Sequence, residues 1–143
     1  MTQSYDFDEM NRNVIREFRA SGGTAGGVFA GMPLVLVHHT GAKTGIERIA
    51  PLVALLNEGR IFVFASKGGS DDNPHWYNNL VAHPEVTVEL GTETFPATAR
   101  VLTGAERDDI YAQQSALQPQ FAEHQRNTTR VIPVIELVKH HAH

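Results

Sequence analysis

The chain has 143 residues, 41% of them hydrophobic and 20% charged. That is enough for one domain with a proper core, too little for two, and excludes a disordered or fibrous chain. Twelve Lys and Arg against sixteen Asp and Glu give a formal charge of −4, the wrong sign for a general nucleic-acid binder, whose phosphate contacts need surplus cations. No cysteine occurs, so disulfides and thiolate metal sites are excluded and a reducing cytoplasm is the expected setting. Apolar runs such as Pro51–Leu56 reach about a third of a bilayer span, and residues 1–20 carry acids and amides where a secretory leader is apolar.

Residues 5–20 predict a helix, because Phe7, Met10, Val14 and Phe18 recur at three- and four-residue spacing. Ser21–Gly31, with glycines at 22, 23, 26, 27 and 31, ends it and reads as a joint or a ligand-approaching loop. Strand patterns follow at Leu34–His39, Ile46–Leu56 and Arg60–Ser66, the last two joined by a turn at Asn57-Glu58-Gly59. From Ile49 the second is apolar on both faces, as in a strand covered on both sides. Asn73 and Pro74 predict the N-cap and first residue of a short helix that gathers Trp76, Tyr77, Leu80 and Val81 on one side. His83-Pro84 stops it.

Val86, Val88 and Leu90 then alternate with Glu85, Thr87 and Glu89, and Phe95, Ala97, Ala99 and Val101 alternate after a turn at Gly91-Thr92. Thr103 can cap a helix running to about Ala116, a second helical piece covers 119–127, and Val131–Val138 closes the pattern. Six short strands with helices between some of them predict a mainly β, α+β fold: a small barrel with helical decoration. The expected units are helix and joint over 1–32, barrel over 33–138 and a tail over 139–143.

The basic residues are the first functional signal. A turn centred near Glu58 pairs residues whose numbers sum to about 116, which sets Ile49 opposite Lys67 with Arg48 beside it. Lys43, in the Thr40–Gly45 loop, belongs to the same end. Lys43, Arg48 and Lys67 are thus expected to converge with Gly41, Gly45, Gly68 and Gly69, and cations beside exposed backbone N–H groups suit a phosphate or carboxylate. Gly41-Ala42-Lys43-Thr44 is no nucleotide P-loop, since Ala42 stands in a glycine position and no helix follows. Pro51 removes a ladder donor in mid-strand. It marks either a bulge or a place where the sheet opens onto a flat ring near Trp76 and Tyr77.

Three linked blocks carry a resemblance. Thr40-Gly-x-Lys43-Thr44-Gly45-x-x-Arg48-x-x-Pro51-Leu52, Ala65-Ser66-Lys67-Gly68-Gly69 and Asn73-Pro74-x-Trp76-Tyr77-x-Asn79-Leu80 resemble the deazaflavin-dependent nitroreductase family in order and spacing. The likeness runs through His83-Pro84-Glu85-Val86 to the Arg130–Leu137 ending. It implies an FMN-binding-like split β-barrel that binds reduced coenzyme F420, an 8-hydroxy-5-deazaflavin with a phospholactyl-oligoglutamate tail. On this resemblance Lys43, Arg48 and Lys67 meet the tail's phosphate and carboxylates, helped by Ala42 and Thr44. Ile49, Ala50, Pro51, Leu52 and Val53 line the ring with Phe64, Ala65 and Ser66, while His75, Trp76, Tyr77, Asn78 and Asn79 close the pocket.

Where that family is rich in tyrosine before the last strand, this chain reads Gln118-Pro-Gln-Phe121-Ala-Glu-His124. Phe121 is then the residue expected to stack on ring or substrate, and Ser66 or His124 the expected proton donor. The implied reaction passes a hydride from the reduced deazaflavin to a small, planar, rather apolar acceptor: a quinone, an unsaturated ester, lactone or ketone, or a nitro compound. An FMN-dependent split-barrel oxidoreductase and a non-catalytic deazaflavin carrier or sensor are the alternatives. His38 and His39 are strand neighbours facing opposite ways, so no metal site is expected. A homodimer is left open. Strong membrane attachment is not expected of a helix carrying three Arg and four acids.

Overall fold

The computed structural model describes residues 2–25, 31–69 and 71–140. Its elements are α1 (Thr2–Ser21), β1 (Leu34–Thr40), β2 (Glu47–Asn57), β3 (Arg60–Phe64), α2 (His75–Ala82), β4 (Glu85–Leu90), β5 (Glu93–Leu102), α3 (Gly104–Leu117), α4 (Gln120–Arg126) and β6 (Val134–Lys139). The strands pair antiparallel in the order β1-β2-β3-β6-β5-β4, and β4 returns to β1 to close a barrel.

Period-two alternation builds the interior: Val35 and Val37, Ala54, Val63, Val86 and Val88, Phe95 and Ala97, Ile135 and Leu137 form one buried cluster. The outer face is covered in two places. α3 and α4 roof Leu55, Phe62, Phe64, Leu102 and Val134, while Val14 and Phe18 of α1 pack on Leu34 and Leu36 with Ile49 at the margin. These two roofs explain why β2 is apolar on both faces. Of the predicted helical stripe, the side chains of Phe7 and Met10 lie outside the described ones. Of the joint, so do Gly26 and Gly27. Gly23, at φ 125°, leaves α1 so tightly over the β4–β5 turn that a Cβ would stand 2.6 Å from the Gly91 Cα.

Several boundaries shift from the sequence reading, and three of them bear on the packing. β3 ends at Phe64 instead of Ser66, because a tight 3-10 turn over Lys67–Gly69 follows. Pro74, not Asn73, holds the N-cap of α2, and the Asn73 carboxamide is engaged elsewhere, accepting from the Arg130 guanidinium at 2.8 Å. β6 starts at Val134 instead of Val131, which is 68% exposed.

The short β3 has a large consequence. β2 pairs with β3 only from Ala54 to Asn57, while its Glu47–Val53 half is laddered to β1 alone. The barrel is therefore split along that half. Pro51 sits in the split, paired to Leu36 on one side and facing no strand on the other, so its missing N–H leaves no ladder bond unmade. Ile49 is paired with His38, not set opposite Lys67. The segment after β3 is instead held by Arg130, whose guanidinium donates to the carbonyls of Ala65 (3.1 Å) and Ser66 (2.8 Å) as well as to Asn73. Lys67 is fixed there at φ 47°, a left-handed conformation that a non-glycine residue keeps only when its surroundings enforce it. Gly69 takes φ 87° and passes so close to α4 that a Cβ would meet the His124 carbonyl at 2.8 Å.

Two predictions follow from these contacts. Arg130→Ala removes three charge-assisted bonds from the Ala65–Asn73 segment and is expected to cost about 2–4 kcal/mol in urea unfolding, with faster amide exchange over residues 65–73. On the outer face, Glu136 is gripped by Arg60 at 2.9 Å from two nitrogens and by Arg100 at 2.7 Å. The Arg60 hydrogen bonds, then those of Arg100, hold its carboxyl below the usual value of 4.5. A depressed carboxylate stabilises the fold fully above the unfolded value, and this contribution is lost as pH falls through the folded one. Glu136→Gln is expected to flatten the acid side of the stability profile below pH 4.5, read by urea titration at a series of pH values.

Candidate active site

Two adjoining clefts open where the barrel is split. The smaller, about 590 Å³, is lined by His39, Gly41, Ala42, Lys43, Thr44, Arg48, His75, Asn78 and Asn79. The larger, about 700 Å³, is lined by Asn11, Arg12 and Ile15 of α1, His39, Glu47–Ala50, Lys67 and Pro74–Trp76. His39, Arg48 and His75 belong to both walls. β1 and β2 place the first two: His39 and Arg48 are register partners on the inward face. α2 brings His75, Trp76, Asn78 and Asn79, and Trp76 also packs against the barrel interior.

Lys43, Arg48 and Lys67 thus do come together, though by the turn after β3 and not by a ladder. Among the described residues none of the three makes a hydrogen bond or ion pair through its side chain. The glycine N–H groups are another matter. Gly41 donates to Ile46 at 2.9 Å, Gly45 to Gly41 at 2.9 Å and Gly69 to Ser66 at 2.9 Å. Three of the four glycine N–H groups expected to meet an anion, those of Gly41, Gly45 and Gly69, are instead spent in closing the turns that hold the loops. Ala42 donates to the Asn79 Oδ1 at 2.9 Å.

Asn79 is the fastener of the site. Its Oδ1 accepts from the 40–45 loop and its Nδ2 lies 3.0 Å from the Nδ1 of His39, tying loop, α2 and β1 together. His39 is 5% exposed. Burial first, then the neighbouring charges of Arg48 and His38, push its pKa down to about 4, so the ring is neutral at pH 7. His38 faces the other way, between Glu47 and Glu89 at 2.6 Å each, and Glu89 is also held by Arg19 of α1.

Other anticipated residues line neither cleft. Pro51 is buried beneath α1's side of the sheet, while Leu52 turns to the barrel interior and Val53 to the cluster under α3 and α4. Phe64 and Phe121 meet edge-to-face in that same cluster, with centroids 5.6 Å apart, so Phe121 is core and presents no stacking face. Ala65 is fully buried and Tyr77 packs on the interior. Ser66, which is buried, and His124, whose backbone stands against Gly69, were the expected proton donors and line neither cleft. Burial lowers the His124 pKa, and its Nδ1 is sealed from solvent without a partner. Sequence reasoning missed His39, Glu47 and the α1 residues Asn11, Arg12 and Ile15. The pairing of His39 with Arg48 was legible in principle from the β1–β2 register; the docking of α1 had no local signal. Among the described residues no helix is long and apolar enough to cross a membrane.

Comparison with known proteins identifies this arrangement. An F420H(2)-dependent quinone reductase of Mycobacterium tuberculosis is 32% identical over 128 residues, covering 85% of each chain. The solved structure of an F420-H2 dependent reductase, FDR-A, is 40% identical with a TM-score of 0.68, covering 73% of this chain and 93% of that one. A solved domain-swapped dimer is 36% identical with a TM-score of 0.70, covering 96% and 99%. The barrel is the split, FMN-binding-like kind. Residues 10–139 match the family described as F420H(2)-dependent quinone reductase, and with that match the chain belongs to this family: it is an oxidoreductase, and reduced coenzyme F420 is its cofactor.

Proposed function

We propose that the two clefts are the F420 site and that the chain uses it to reduce quinones. The observation that supports this is the convergence of Lys43, Arg48 and Lys67, without acidic partners among the described residues, on clefts that share a wall. Lys43, Arg48 and Lys67 are solvent-exposed; like charges gathered on one surface repel one another modestly, and a polyanion removes that cost. A long, anionic, ring-bearing cofactor fits such a pair of clefts. Lys43 and Arg48, with Thr44 and Asn78, hold its tail in the smaller one; Ile49, Ala50, Lys67, His75 and Trp76 flank its ring in the larger one.

Bound there, the reduced deazaflavin supplies a hydride, which with one proton converts a quinone to its hydroquinone. Trp76 and Ile15 give a planar acceptor an apolar wall. Ser66 and His124 line neither cleft, so neither is placed to pass that proton directly. Unsaturated lactones, esters, ketones and nitro compounds are acceptors of the same electron-poor kind.

Lys43→Ala, Arg48→Ala and Lys67→Ala are each expected to weaken F420 binding by about 1–3 kcal/mol, and by more at low salt than at high salt. Fluorescence titration reads the affinity, and unchanged binding in all three variants sinks the assignment. Consumption of reduced F420 with a menadione-like quinone is the companion assay. A carrier would bind the cofactor and show no turnover.

The assembly follows a separate observation. α1 supplies one wall of the larger cleft and leaves through Gly22 and Gly23, both at positive φ, so either copy of a pair can contribute it. We read the chain as a homodimer, since a relative is solved as a domain-swapped dimer, and we propose α1 as the element exchanged. Light scattering is expected to return twice the monomer mass; a monomer with an intact cleft refutes the exchange.

A further inference from the structure

The shared wall of the two clefts contains a histidine whose hydrogen-bonding state the surrounding network dictates. The Ala42 backbone N–H can only donate, so the Asn79 atom 2.9 Å from it is the carboxamide oxygen. That leaves the Asn79 NH2 group 3.0 Å from the Nδ1 of His39. An amide NH2 cannot accept, so Nδ1 carries a lone pair and the ring proton sits on Nε2. Nε2 has no partner among the described residues, yet it is not one of the side-chain atoms sealed from solvent without one, which are Gln114 Nε2 and His124 Nδ1. A fixed N–H donor that reaches solvent and has no partner among the described residues therefore stands in the wall shared by both clefts, beside Arg48.

We propose that His39 is a cofactor-contacting residue that donates its Nε2–H to the anionic portion of F420, with Asn79 as the positioning residue that sets the required tautomer. The inference rests on the clefts being the F420 site.

The groups around the ring agree with this role. Arg48 is its register partner on β2, Lys43 of the 40–45 loop and His75 of α2 line the smaller cleft with it, and Lys67 of the turn after β3 and Arg12 of α1 line the larger. Glu47 is the acid in the larger cleft, and the adjacent His38 is turned to the opposite face. This mostly positive surround disfavours an imidazolium, so His39 adds a directional donor to the site without adding a further charge. An anion seated beside it reverses part of that effect. Cofactor binding and His39 protonation are then linked, and binding below about pH 6 takes up a fraction of a proton.

Nitrogen-15 NMR of the histidines tests the idea without turnover. At pH 7 the free protein is expected to show His39 neutral with its proton on Nε2. Oxidised F420 is expected to shift the Nε2 resonance and raise the ring's titration midpoint above its free value. Asn79→Asp places an acceptor against Nδ1 and is expected to move the proton to Nδ1 or to charge the ring; circular dichroism checks that the variant is folded. By fluorescence titration, His39→Leu is expected to lose about tenfold in F420 affinity, and His39→Gln, which retains a distal N–H, to recover most of it. The proposal is overturned if wild-type His39 carries its proton on Nδ1, or if saturating F420 leaves Nε2 unmoved while Arg48→Ala still weakens binding. Should Lys43→Ala and Arg48→Ala also bind normally, the site reading itself falls and this inference with it.

Discussion

Everything about the site follows from a mismatch in strand length. β2 has eleven residues and β3 five, so half of β2 has a partner on one edge only. An open sheet edge is ordinarily a liability, because unpaired backbone groups invite another strand. Here Pro51 removes one of the donors, α2 and the Lys67–Gly69 turn stand off from the gap, and α1 covers the far side. What remains is a cleft bounded by backbone, a tryptophan and cations. Arg130 maintains the mismatch: by holding the carbonyls of Ala65 and Ser66 it turns the chain out of the sheet where β3 would otherwise continue.

Electrostatics separates the site from the scaffold. Several cations elsewhere are matched: Arg19 to Glu89, Arg60 and Arg100 to Glu106 and Glu136, Lys139 to Glu93. Lys43, Arg48 and Lys67 are left unmatched at the clefts, in a chain whose formal charge is −4. Exposed ion pairs add little stability, so the matching elsewhere is best seen as removing competing positive surface. The field that a polyanion meets is then concentrated at the clefts. Asn79 spends its carboxamide on fastening the loop to β1.

Much of this was legible before any coordinates. The 85–90 alternation emerged as β4 with identical ends, and the both-faces apolar run of β2 proved to be a strand roofed on its outer side. The three motif blocks pointed to the cofactor chemistry that the family match supports. Other expectations failed for tertiary reasons. Phe121 looks available on a helical surface, but α4 folds it onto Phe64 and Tyr111. The N–H groups of Gly41, Gly45 and Gly69 look exposed, but close their own turns. His39 looks like one of two ordinary strand histidines until Arg48 is set beside it and Asn79 against it.

The order of residues determined whatever depends on short-range periodicity and local backbone chemistry: which segments are strands, where helices start, where proline forbids a ladder bond, and which cations occur near glycine turns. Tertiary structure alone decided where β3 stops, which donors are already spent, that α1 forms a wall of the larger cleft, and which histidine nitrogen bears the proton. These depend on atoms tens of residues apart competing for the same partners, and no local pattern records the outcome of that competition.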